Sequence, residues 1–69
     1  MKNSNEILLN DNVVLTATKK DFPNMPGEYL NELKNRTDGI VKDFEDGEAI
    51  VHFGTTHSIQ VSTKLLKKQ

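Results

Sequence analysis

His52 and His57 are the only histidines of the 69-residue chain and stand five residues apart, separated by a phenylalanine, a glycine and two threonines. Imidazole is the commonest zinc ligand, but a site using both residues lacks a third ligand at any recognised spacing, so no metal or other cofactor is expected. Ser58 and Ser62 sit in an alternating stretch without the Gly-x-Ser-x-Gly elbow that lifts a nucleophilic hydroxyl clear of a sheet. A glycine-rich loop able to cradle a phosphate is also missing. These residue types point away from catalysis and towards recognition.

The composition agrees. With 35% hydrophobic and 28% charged residues, no cysteine, no tryptophan and a net charge of −1, a multidomain enzyme, a disulfide scaffold and a membrane span are excluded. A chain of this length buries only about 60% of the surface its unfolded form exposes, so association with a partner or a second copy is an expected source of stability. The lack of cysteine fits a reducing compartment. Met1 to Asn12 is polar apart from Ile7-Leu8-Leu9, without the basic and apolar regions of a signal peptide, and a cytoplasmic location is expected.

Charge is unevenly spread: 0 over residues 1–37, −4 over 38–48 and +3 over 49–69. Asp43, Glu45, Asp46 and Glu48 cluster at a turn suited to steering a basic partner, while Lys64, Lys67 and Lys68 close the chain without a compensating acid. Nucleic-acid binding needs a basic stripe with stacking aromatics. Lys19, Lys20, Lys34 and Arg36 flank one loop, and Tyr29 alone is a stacking candidate.

Alternation of apolar and polar residues outlines the strands that carry these side chains. Val13, Leu15 and Ala17 share one side of a first strand, with Val14 and Thr16 on the other. Residues 18–38 hold both prolines and many turn formers, which makes a long structured loop. Within it Tyr29, Leu30 and Leu33 allow a single helical turn over 28–34 that pins the loop to the core. Residues 39–44 and 48–53 flank an Asp-Gly dipeptide, the signature of a tight hairpin, with Ala49, Val51 and Phe53 on its core face and Glu48, Ile50 and His52 on the other. A further strand over 58–62 turns Ile59 and Val61 inward and Gln60 outward, and residues 63–68 supply a short turn and a lysine-protected edge strand. The reading is an all-β domain over residues 12–69, preceded by a polar leader over 1–11: a five-stranded SH3-like barrel with a long first loop and short helical turns.

The Val13-Val14-Leu15 strand, Pro26-Gly27-Glu28-Tyr29, Gly39-Ile40-Val41, the run Ala49 to Phe53, Ile59-Gln60-Val61 and Leu65-Leu66 together resemble the small barrels of the electron-transport accessory group. That group includes the ferredoxin-thioredoxin reductase variable chain, the photosystem I ferredoxin-docking subunit and the barrel end of nitrile hydratase β chains. The resemblance implies an SH3-like fold and an accessory role in docking a protein. The same fold-forming positions occur in KOW-type nucleic-acid modules. Ser58-Ile59-Gln60-Val61-Ser62 also resembles the pore strand of type II dihydrofolate reductases, tetramers whose Val-Gln-Ile-Tyr contacts ligands; Gln60 and Val61 match it, and Ser62 stands where the tyrosine belongs.

The expected function is therefore that of a small, non-catalytic accessory subunit with a protein partner. Its contact residues are Phe22, Met25 and Tyr29 on the long loop and Ile50, His52 and Gln60 on one barrel face. Tyr29, Leu30 and Leu33 also serve to cap the core, and Phe22, Phe44 and Phe53 are core or loop-anchor candidates.

Overall fold

The computed structural model describes residues 6–69. The chain runs through β1 (Asn12–Leu15), α1 (Gly27–Lys34), β2 (Gly39–Glu45), β3 (Glu48–Phe53), β4 (His57–Ser62), a 3₁₀ turn (Thr63–Leu65) and β5 (Leu66–Lys68). Among the described residues, five strands join one antiparallel sheet in the order β4-β3-β2-β1-β5, so the structure there is mostly β with one α-helix. β4 and β5 stand at opposite edges, and the sheet does not close on itself.

The β2–β3 hairpin forms where local chemistry demands it. Asp46 and Gly47 take φ of 55° and 81°, and positive φ at both central residues matches the twist of the flanking strands. Val41 pairs with Val51 but Asp43 pairs with Ile50, which leaves Lys42 as the extra residue of a bulge. The bulge changes parity. Without it Phe44 would share the outer face with Ile40; with it Phe44 lies opposite Ala49 on the core side. Near the hairpin tip it outruns the core and stays 39% exposed, which corrects its expected burial.

Val13, Leu15, Ala17, Val41, Ala49, Val51, Phe53, Val61 and Leu66 are buried, and Leu30 and Leu33 of α1 pack into the same core. The helix has two turns where the breakers suggested one. Pro26, with φ of −57°, sets its entry, Glu28 stands in the first turn and Lys34 in the last, in accord with the helix dipole. An isolated helix of this length is unstable in water, so burial of Leu30 and Leu33 is what holds it.

The leader's residues 1–5 lie outside the described residues. From Ile7, itself buried in the core, the leader is tied down: Asn10 N–H donates to Val41 O at 2.7 Å and Val41 N–H donates to Asp11 O at 3.0 Å. Pairing of β1 with β5 brings the chain's end beside this segment, and Lys68 Nζ lies 3.5 Å from Asp11 Oδ2. Lys68 thus has a compensating acid, contrary to the sequence expectation, because the two residues are distant in sequence and adjacent only across strands. No helix among the described residues is long and apolar enough to cross a membrane.

Phe53 is the largest fully buried side chain, so Phe53→Ala is expected to lower stability by about 3–5 kcal/mol. Phe44→Ala, removing a ring already part-solvated, is expected to cost about 1 kcal/mol. Urea denaturation of both variants checks the contrast.

Candidate functional site

Two successive turns give the loop after β1 a fixed shape. Asp21 Oδ2 accepts from Thr18 N–H at 2.8 Å and from Thr18 Oγ1 at 3.1 Å, while Asp21 N–H donates back to Thr18 O at 2.9 Å. Met25 N–H then donates to Phe22 O at 3.1 Å. Lys19 Nζ reaches across and donates to Pro23 O at 3.0 Å and Met25 O at 2.5 Å, so one ammonium ties together two carbonyls of the Pro23–Pro26 segment.

Phe22, Met25 and Tyr29 pack half-buried against the core and also line a shallow recess of about 490 Å³ with Asp21, Pro23 and Pro26. Covering the core and facing the recess are therefore one arrangement for these three side chains. Tyr29 stacks on His57, with ring centroids 5.6 Å apart and planes 26° from parallel. His57 in turn lies 2.7 Å from Thr56 Oγ1 through Nδ1. His57 opens β4 and supports the recess wall.

Ile50, His52 and Gln60 do come together, but elsewhere. Ile50 pairs with Gln60 and His52 with Ile40, all on the sheet face opposite the core. His57 pairs with Phe53 on the core side, so the two histidines occupy opposite faces and cannot share a ligand. Gln60 Nε2 donates to Glu48 Oε1 at 3.2 Å and to Glu45 O at 3.4 Å, which ties the outer face to the acidic hairpin. Asp43, Glu45 and Asp46 are exposed and Glu48 half-exposed around that tip. Ser62, where the reductase-like reading needs an aromatic ring, uses its hydroxyl to accept from Lys64 N–H at 3.2 Å and caps the 3₁₀ turn.

A second charged feature borders the far end of the sheet. Arg36 grips Asp38 through Nε–Oδ1 at 2.9 Å and Nη2–Oδ2 at 2.7 Å, and Gly54 lies directly beneath the pair. Gly54 has φ of 66°, and a Cβ there would come within 3.1 Å of Arg36 Nη2. The Arg36 hydrogen bonds hold the Asp38 carboxyl below its ordinary value, and those same bonds raise the Arg36 guanidinium.

Comparison with protein-family models, with curated proteins and with solved structures finds no match to this chain. The features that sequence reasoning missed are Lys19 as a loop clamp and His57 as a stacking partner. Lys19 precedes its acceptors by only four and six residues, but a lysine followed by Pro-x-x-Pro carries no signal that its ammonium will fold back.

Because the folded Asp38 has the lower pKa, the pair's contribution to stability is complete above 3.8 and is lost as pH falls through the depressed folded value. Wild-type protein is expected to melt above Asp38→Asn at neutral pH, and the two melting temperatures should converge in strong acid. Carboxyl titration by NMR should place Asp38 below 3.8.

Proposed function

We infer that this chain is a small, non-catalytic docking module on an SH3-like scaffold, and that the Phe22–Met25–Tyr29 recess takes an apolar side chain from a protein partner. The observation that carries this reading is an apolar recess held open by its own hydrogen bonds. A site fixed before binding avoids most of the ordering entropy that a flexible loop loses, so modest contact area yields useful affinity. The strand order, with β1 between β2 and β5 and a β2–β3–β4 meander, supports the SH3-like reading.

The acidic tip of Asp43, Glu45, Asp46 and Glu48 steers a partner of basic character towards the module at long range. Docking of a protein partner is also what the resemblance to electron-transport accessory chains implies, and a cytoplasmic setting accords with it. The outer face of Ile50, His52 and Gln60 is a separate surface, so partner contact there is independent of the recess.

Tagged protein captured from its native lysate, with and without nuclease, tests the reading when three forms run in parallel. Wild type and Ile50→Asp are expected to retain the same protein after nuclease treatment, and Met25→Asp to lose it by at least about tenfold. Retention by Met25→Asp refutes the recess as the docking site. Loss of every protein on nuclease treatment, with nucleic acid recovered, refutes protein docking and supports the nucleic-acid module.

A further inference from the structure

The two edges of the sheet are not alike. β5 is three residues long and carries Lys67 and Lys68, features that discourage a further strand from pairing. β4 is six residues long and contains no proline, no Lys, Arg, Asp or Glu and no bulge.

The direction of its backbone groups follows from the hairpin. A two-residue turn closes on a hydrogen-bonded pair, here Glu45 with Glu48, and such pairs alternate along an antiparallel ladder. Glu48, Ile50 and His52 therefore aim their N–H and C=O groups at β2, and Ala49, Val51 and Phe53 aim theirs at β4. The bonds between Val41 and Asn10/Asp11 obey the same parity, since Val41 faces the β1 side. Across β3–β4, Val61, Ile59 and His57 are the bonded partners. Ser58, Gln60 and Ser62 consequently present their backbone groups outward, and among the described residues none of these groups takes part in a backbone hydrogen bond outside the strands.

This edge reads the same in both directions. Ser58-Ile59-Gln60-Val61-Ser62 is a chemical palindrome about Gln60: serine, β-branched apolar, glutamine, β-branched apolar, serine. We propose that β4 pairs antiparallel with β4 of a second copy of this chain, about a twofold axis through Gln60, and joins the two sheets into one. Ser58 then faces Ser62 of the second copy, Gln60 faces its own counterpart, and each of these pairs exchanges both N–H···O bonds. On the core side Ile59, half-buried in one copy, meets Val61 of the other, a β-branched pair that strengthens strand pairing. No like charges oppose one another along the strand. None of the residues that line the Phe22–Met25–Tyr29 recess belongs to β4, and the tests of the two readings change different residues, so the pairing stands or falls separately from the docking reading.

Analytical ultracentrifugation of wild type across the micromolar to millimolar range is expected to show a monomer–dimer equilibrium. Gln60 is exposed, so Gln60→Lys leaves the core intact while setting two ammonium groups against each other on the axis. Its dimer dissociation constant is expected to rise at least about tenfold. Gln60→Glu should behave likewise, and an equimolar mixture of the two variants should recover a heterodimer, because residue 60 meets residue 60. In wild type, amide exchange by NMR should show Ser58, Gln60 and Ser62 becoming protected as concentration rises, with Ile59 and Val61 protected throughout. A wild type that stays monomeric overturns the proposal. So does a dimer indifferent to Gln60→Lys, a mixture that fails to re-associate, or protection of those three amides that does not depend on concentration.

Discussion

Phe53 packs directly over Gly39, its partner across the β2–β3 ladder, and the remaining architecture is arranged around that contact. A Cβ on residue 39 would fall 2.8 Å from Phe53 Cε1 and 2.8 Å from Val13 O, so only glycine lets the ring lie flat on the sheet while β1 pairs on the other side. The ring is fully buried and is the largest side chain to be so. A chain of this size has one apolar face to cover and only a short helix to cover it with, which makes a single large ring at the junction of β1, β2 and β3 decisive.

From this junction the functional surfaces take their places. His57, the next residue to pair with Phe53, is held on the core side, where it supports Tyr29 from below. Tyr29 precedes buried Leu30 in α1, so the helix fixes one wall of the recess, and the turns at Thr18–Asp21 and Phe22–Met25 fix the other. The Arg36–Asp38 pair over Gly54 closes the same end, linking the residues after α1 to the β3–β4 turn. A loop rich in turn formers thus becomes a rigid surface because both of its ends are anchored in the core.

The sheet's two faces divide the labour. One is covered by α1 and Ile7, and the other keeps Ile40, Ile50 and His52 half-buried with Gln60 bound to the acidic tip. The bulge at Lys42 makes this division possible, since the same change of parity brings Phe44 to the core side and turns Asp43 and Glu45 to the solvated face. Edge strands of contrasting character follow from the open sheet, one short and basic, the other longer and uncharged.

Whatever depends on neighbours within a few residues is legible along the chain. Asp46-Gly47 dictated the hairpin because positive φ is a local property, and the rows Val13–Leu15–Ala17 and Ala49–Val51–Phe53 dictated the core face because strand side chains alternate strictly. Features that bring distant residues together arise on folding. The second turn of α1 exists because Leu30 and Leu33 have a sheet to bury against, Lys68 finds Asp11 because β5 returns beside β1, and Phe44 changes face because of a bulge that leaves no local mark. Tyr29 and His57 meet for the same reason, 28 positions apart in sequence yet stacked in space. Local conformational preference is set by covalent geometry and is readable along the chain, whereas desolvation and cross-strand register act between segments and take effect only once the chain has folded.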